Sequence, residues 1–402
     1  MPVEKLAIHG GTPVRPTLLP YGRQSVEESD LQAVTEVLRS DWLTTGPNVN
    51  EFEETFARYV SSSFAVAVSS GTAALHAATF AAGIGPGDET ITTPLTFCAT
   101  ANCVIYQGGH PKFVDIVPDT LNVDPEHVSR AVTSKTKAIY PVAYAGQPAD
   151  LDLLVEVARK RNLVIIEDAC HALGAEYKGR KTGSIADMTV FSFHPVKHIT
   201  TGEGGMVTTN DSRLAEKLRR FRNHGINSSA RERHESGQFY YDMIELGFNY
   251  RISDFACALG HSQLNRLEEN LRRRRQIAKQ YDAAFAKVPG VRVPAVREDV
   301  RHAYHLYVIE MEEGWDRDEV FRALRAENIG VNVHYLPVYL HTYYRQRYGY
   351  KRGECPLAED AYNRLITLPM FHSMTAQDVE DVIRAVEKVA HALHNKVAAE
   401  LL

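Results

Sequence analysis

The chain has 402 residues, 44% of them apolar and 24% charged, the balance of an ordinary globular protein with room for one large domain and a smaller companion. Its net charge of −5 gives no electrostatic reason to expect nucleic acid or an acidic membrane as partner. Five scattered cysteines lack CxxC spacing, "MPVEKLAIHGG" has no apolar signal core, and no run is apolar enough to span a bilayer, so free thiols and a cytosolic location are expected.

From about Ser63 to Asn210, short β-rich runs alternate with helical patterns. The runs are Phe64–Ser69, Glu89–Pro94, Lys112–Ile116, Ala138–Val142, Leu163–Asp168, Met188–Phe193 and Gly205–Thr209. Several are nearly all apolar, as strands covered on both faces must be. Helical segments such as "TAALHAATFAAG" and "DLDLLVEVARKRN" lie between them. The alternation predicts an α/β domain on a mostly parallel sheet. The last two runs are joined by a short glycine-rich loop, which leaves room for an antiparallel partner there.

One helical stretch is predicted from "ISDFACALGHSQL" to "AAFAKV", ending near Pro289-Gly290. Its basic run, Arg272 to Arg275, sits among other charges and reads as a solvated face. The domain boundary is placed there, with residues 1–289 forming the large domain and 290–402 the smaller one. In the latter, strands in "AYHLYVIEM" and "GVNVHYLP" mix with helices in "RDEVFRALRAEN" and "AQDVEDVIRAVEKVAHALHNKV", which predicts an α+β unit.

In an open α/β sheet, ligands bind beyond the carboxyl ends of the strands. Three groups stand there. After the first run come Ser70, Gly71 and Thr72 and then a helix; free N–H groups at a helix start hold a phosphate, or else this is a plain cap. After "LVIIE" comes Asp168, a carboxylate that is costly to bury unless a cation or donors meet it, or again a cap. After "MTVFSF" comes Lys197, between His194 and His198. A desolvated lysine forms Schiff bases. A metal held by the two histidines is discounted, because Pro195 and the nearby glycines argue for a loop and no third ligand is evident. A phosphate cradle, an aspartate to keep a pyridine nitrogen protonated and a lysine to form the Schiff base are together what pyridoxal phosphate requires.

The chain resembles the DegT/DnrJ/EryC1/StrS aminotransferases, the sugar-aminating branch of fold-type I pyridoxal-phosphate enzymes. The resemblance runs through "WLTTGPNVNEFEETFARYV", "SSGTAALHAA", "TTPLTFCATANCVIYQGGHPKFVDI", the block from "IIEDACHALGAEY" through "SFHPVKHITTGEGG", "LGFNYRISDFACALGHSQL", "VHYLPVY" and "LPMF". It implies a seven-stranded, mostly parallel sheet flanked by helices. It further implies that Lys197 forms the internal aldimine, that Asp168 pairs with the pyridine nitrogen and that His171 reaches the ring hydroxyl, though relatives often carry Gln at that place. Ser70, Gly71 and Thr72 would hold the phosphate with help from Ser192, and Phe97 would stack on the ring. Asn249 would reach the cofactor of a neighbouring subunit, which implies a homodimer with shared sites.

Bland alternatives stand beside these roles. Phe97 is equally a core aromatic, His171 a satisfied core histidine, and Ser192 alternates with Phe191 and Phe193 so that its direction is open. The implied reaction moves an amine from L-glutamate to a UDP- or dTDP-linked keto sugar, with C4 of a UDP-4-keto-6-deoxy-N-acetylhexosamine, of the pseudaminic acid type, preferred. C3-aminating, perosamine-type and keto-cyclitol enzymes share the motifs. Sugar dehydrases carry histidine where this chain keeps Lys197, and a silent scaffold has no need of the full set. Substrate contacts are expected from Thr45 and Gly46 in the N-terminal loop and from His334 and Tyr335. Arg251 is a candidate for the donor carboxylate or a structural ion pair.

Overall fold

A computed structural model describes residues 4–228, 233 and 236–400, with side chains described up to residue 395. Helices α1 (Glu28–Leu38) and α2 (Pro47–Val60) precede strand β1 (Phe64–Val68). The chain then runs through α3 (Gly71–Ala81), β2 (Glu89–Thr92), α4 (Ala99–Tyr106), β3 (His110–Phe113), α5 (Pro125–Ala131), β4 (Thr136–Tyr140), α6 (Leu151–Arg161) and β5 (Val164–Asp168). A small hairpin, β6 (Glu176–Tyr177) and β7 (Arg180–Lys181), leads to β8 (Met188–Ser192), β9 (Gly205–Thr209) and α7 (Ser212–Phe221). The main sheet has seven strands in the order β1-β9-β8-β5-β4-β2-β3. Its pairs are parallel except that β9 runs antiparallel to both β8 and β1. The link after β8 contains only turns and no helix to carry the chain back across a sheet face, as a parallel return usually requires. The expected Lys112–Ile116 run is displaced towards its N-terminus in β3.

Both sheet faces are covered. On one, the alanine-rich α3 lies on Val66, Val68, Ile166, Met188, Val190 and Val207; its small side chains let the helix approach closely. On the other, Phe52, Phe56 and Val60 of α2 pack on Ala65, Phe191 and Met206. Because β1, β5 and β8 run parallel, their carboxyl ends share one edge of the sheet.

The predicted helix after residue 252 is two helices, α8 (Asp254–Leu264) and α9 (Leu267–Phe285), separated at Asn265-Arg266. Beyond them, β10 (Val291–Arg292), β12 (Tyr307–Met311) and β13 (Leu365–Leu368) form an antiparallel sheet, while β11 (Val300–Arg301) joins the β6–β7 hairpin. Helices α10 (Arg317–Ala326), α11 (Thr342–Tyr348), α12 (Pro356–Arg364) and α13 (Ala376–Glu400) complete this α+β unit. "GVNVHYLP" forms no strand of length; it contributes only an isolated bridge, Asn332 to Thr367. The third strand is instead "LITL" of β13.

Packing crosses the expected boundary at residue 290. Leu6, Leu19 and the C-terminal part of α9 (Ile277, Tyr281, Phe285) share a buried cluster with β12, α10 and α13. Glu327 ties the N-terminal segment to this unit. It accepts from the Ala7 and Val14 N–H groups at 2.8 and 2.9 Å and pairs with buried Lys388 at 3.0 Å. Among the described residues no helix is long and apolar enough to cross a membrane.

Candidate active site

Helix α3 starts at the end of β1. The Ser70 side chain caps it by accepting from the Ala73 N–H at 3.0 Å, and the Ser70 carbonyl accepts from Ala74. Gly71 and Thr72 stand ahead of these bonds, where helix geometry provides no intrahelical acceptor for their N–H groups. Ser192, the last residue of β8, faces this helix start. A Cβ added to Gly71 would lie 2.9 Å from the Ser192 Cβ and 3.1 Å from its Oγ. The β8 alternation thus resolves: Phe191 and Phe193 are buried against Phe52 and Phe56, and Ser192 points to the opposite side.

Asp168 ends β5, next to β8, and is buried. Its carboxylate accepts from the Thr100 hydroxyl at 2.7 Å and from the Cys170 N–H at 3.1 Å. Two neutral donors orient the charge without neutralising it, so a cation from outside the chain is the natural partner. His171 is buried beside it, with Nε2 3.0 Å from the Tyr335 hydroxyl and Nδ1 without a partner. Burial pushes His171 well below the ordinary imidazole range.

Lys197 sits in the turn after β8, its N–H bonded to the His194 carbonyl at 2.9 Å. Its Nζ lies 3.3 Å from Nε2 of His305. Burial lowers the Lys197 pKa, with Cys170 and Asp168 pulling the other way. His198 turns away and donates from Nε2 to the Ala303 carbonyl at 3.1 Å, while His194 is exposed. Phe97 is 57% exposed despite its size, tilted 6.2 Å from the Tyr335 ring. A core aromatic would be covered; this one offers a free face.

Other expected residues take separate places. Thr45 and Gly46 lie at the start of α2, where Thr44 bridges to Ser253 and Gly46 packs against Trp42 and Asp254. The His334 ring is buried, 2.9 Å from the Thr367 hydroxyl, and its carbonyl accepts from the Tyr144 hydroxyl. Asn249 is exposed and bridges to Asn223, whose side chain accepts from Arg251 at 2.8 Å. The Ser69 N–H donates to the Tyr250 carbonyl, so this segment borders the end of β1. Thr100, Cys170 and His305 join the site unforeseen. Thr100 and Cys170 lay inside motif blocks without a signal of their own, and His305 lies more than one hundred residues from Lys197.

The donor set fits a phosphorylated pyridine. The N–H groups of Gly71 and Thr72 with the Ser192 hydroxyl suit a phosphate, and a side chain on Gly71 would fill the cradle. Buried Asp168 suits a protonated ring nitrogen, and a lysine of lowered pKa suits a carbonyl carbon.

Known proteins match along the chain. A model of the DegT/DnrJ/EryC1/StrS aminotransferase family matches residues 24–387. The spore coat polysaccharide biosynthesis protein SpsC of Bacillus subtilis is 46% identical over 376 residues, 92% of this chain and 97% of its own. A putative sugar aminotransferase of Streptococcus pneumoniae, solved in a PLP form, superposes with a TM-score of 0.87 at 32% identity over 94% of this chain and 99% of its own. PseC of Helicobacter pylori, an aminotransferase involved in the biosynthesis of pseudoaminic acid, gives 0.87 at 32% identity over 94% and 100%. These neighbours share the fold-type I architecture described above. A family match over most of the sequence, a near relative of almost equal length and a sheet edge shaped for pyridoxal phosphate agree: the chain belongs to the DegT/DnrJ/EryC1/StrS aminotransferase family, whose cofactor is pyridoxal phosphate.

Proposed function

We propose that this chain moves an amino group from L-glutamate to C4 of a nucleotide-linked 4-keto-6-deoxy sugar, a UDP-N-acetylhexosamine derivative first. We place the reaction in the cytoplasm. The observation that carries the chemistry is Lys197, half-buried in the turn after β8, with Asp168 on the neighbouring strand end and the Gly71–Ser192 cradle beside them. The nucleotide sugar rests on likeness to SpsC and PseC, whose names concern polysaccharide and pseudoaminic acid biosynthesis.

When bound, pyridoxal phosphate supplies a carbonyl that carries the amine and a ring that accepts electrons. The chain does the rest. Gly71 and Thr72 N–H groups and Ser192 hold the phosphate. Asp168, kept in line by Thr100 and Cys170, holds the proton on the ring nitrogen. Phe97 would cover one ring face, and His171, bonded to the Tyr335 hydroxyl, would meet the ring hydroxyl. Lys197 would hold the cofactor's carbonyl end and move the proton at Nζ, a task suited to an amine whose pKa desolvation lowers. Thr45, Gly46, His334 and Arg251 are the proposed substrate-side residues.

We also propose a homodimer in which Asn249 serves the partner's cofactor. An exposed apolar stretch supports it: Phe239 is 92% exposed, and Leu246, Tyr240 and Met243 are largely bare, more apolar surface than an isolated chain leaves open in one segment.

The substrate reading is tested by offering UDP- and dTDP-linked 4-keto-6-deoxy sugars, a keto-cyclitol and free keto acids with glutamate. The highest kcat/KM is expected for the UDP-N-acetyl sugar. Preference for the cyclitol or a keto acid overturns the reading; preference for a dTDP sugar overturns only the nucleotide.

A further inference from the structure

His305 stands at the head of β12, in a segment forced into place from two sides. Tyr304 before it has φ +49°, a left-handed conformation that is strained for an aromatic residue and persists only where its surroundings dictate it. From below, the turn at Ala145-Gly146 accepts from the Leu306 and Ala303 N–H groups at 3.1 and 3.0 Å. Gly146 comes so close that an added Cβ would sit 2.8 Å from the Tyr304 nitrogen and 3.1 Å from that of His305. From α9, buried Arg274 donates to the Tyr304 carbonyl at 3.0 Å and to the Met370 carbonyl at 2.9 Å. Strain held by such support is a mark of function, and what it delivers is the imidazole 3.3 Å from the Lys197 amine.

The ring's second nitrogen settles the direction of that contact. Nδ1 of His305 is buried and has no hydrogen-bond partner among the described residues. A buried, unpaired N–H is rarer than an unfilled acceptor, so the neutral ring carries its proton on Nε2. Nε2–H then points at Lys197, and only an uncharged amine has a lone pair to receive it. We propose that His305 is a positioning residue that donates a hydrogen bond to the neutral Lys197 amine, holding it deprotonated beside the cofactor whenever it is not bonded there.

The surrounding groups divide in a consistent way. Asp168 and Cys170, at the end of β5, are the groups that favour a charged amine. Facing the imidazole are His171 and His198, with ring centroids 4.5 and 5.6 Å away, while Arg274 from α9 donates to the His305 carbonyl at 3.4 Å. On its own segment, His302 accepts from the Tyr304 N–H. His334, in the segment bearing Tyr335, is held neutral by burial. Burial above all pushes His305 well below the ordinary imidazole range and keeps the ring uncharged.

The inference rests on the aminotransferase reading in taking Lys197 as the reacting amine, so its test separates the two. In the full-length protein stripped of cofactor, Lys197 is labelled with an amine-selective reagent across a pH series and quantified by peptide mass spectrometry. His305→Leu should raise the labelling midpoint by about half to one pH unit, the scale of one hydrogen bond. His305→Gln, which still offers an N–H, should hold the midpoint near the parent's. A midpoint unchanged or lowered in His305→Leu, or moved equally in both variants, overturns the proposal. Should the Leu variant not fold, nitrogen-15 NMR of the unsubstituted protein decides: a neutral ring protonated at Nε2 is expected, and a cationic or Nδ1-protonated ring overturns it. Borohydride reduction of the reconstituted proteins gives the separate check. Cofactor trapped on Lys197 with a failed midpoint test leaves the aminotransferase reading standing; none trapped on Lys197 sinks that reading itself.

Discussion

In the proposed reaction a lysine and an aspartate carry the chemistry and a glycine makes room for the phosphate, and each is held by something different. Lys197 is placed by a turn after β8 and stripped of water by its neighbours. Its replacement by alanine should abolish amine transfer while the Gly71–Ser192 cradle still retains cofactor through the phosphate. Stopped turnover together with a spectrum lacking the lysine-bound cofactor band is the expected result, and near-normal turnover would remove Lys197 from its role. Gly71 is required for space, since its φ needs no glycine but its Cβ would sit 2.9 Å from Ser192. Gly71→Ala should weaken pyridoxal phosphate binding at least tenfold, about 1.4 kcal/mol, in a titration of the cofactor-free protein, with the unfolding midpoint little changed. Equal affinity would place the phosphate elsewhere.

The junction of α8 and α9 shows how an element's limits are decided by a distant partner. Residues 252 to 288 carry a helical pattern throughout, yet the helix breaks at Asn265-Arg266. Arg266 leaves the helical path to pair with Asp30, which is wholly buried near the start of α1 and also accepts from Ser262 and Gln263. Removing one partner leaves a buried charge uncompensated, typically about 3–5 kcal/mol. Arg266→Ala should therefore lower stability by roughly 3 kcal/mol in urea unfolding, and a loss below ordinary surface values would show that Ser262 and Gln263 satisfy Asp30 alone. The same α9 then carries Arg274 beneath His305 and Tyr281 into the C-terminal cluster, so one broken helix serves both cores.

Across the molecule, desolvation lowers the pKa of seven of the described histidines named next. Burial lowers His302 and His334 to about 3 and His76 and His372 to about 4, and sets His171, His198 and His305 well below the usual range. In the unfolded chain each titrates near 6.5. Below that pH the unfolded chain binds protons that the folded one refuses, so stability falls as pH falls. The window runs from about 6.5 down to about 3–4, and each such histidine steepens the slope by up to about 1.4 kcal/mol per pH unit. Urea midpoints measured from pH 7.5 to 5 should decline throughout the lower part of that range; a flat profile would mean that the rings are hydrated or paired in solution. Assembly has its own test. Mixing inactive Lys197→Ala with an inactive Asn249→Ala protein should restore activity through hybrid dimers that hold one intact site. No recovery, with subunit exchange demonstrated, would argue for sites complete within one chain.

Local patterning determined much of this protein. Apolar runs with helices between them specified a parallel sheet, because strands covered on both faces cannot alternate with polar residues, and the short glycine link foretold the antiparallel β9. Lys197, Asp168 and Gly71 were legible because each stands at or just past a strand end, and parallel strands bring their carboxyl ends to one edge. Tertiary structure decided the rest. The direction of Ser192 depended on which sheet face α3 would cover. The third strand of the small sheet went to "LITL" rather than "GVNVHYLP", because pairing with β12 is a choice between distant partners that strand propensity does not rank. Thr100 reaches Asp168 across 68 residues and His305 reaches Lys197 across 108; neither carries any mark in its own neighbourhood, since a side chain's partner at that separation is set by packing alone.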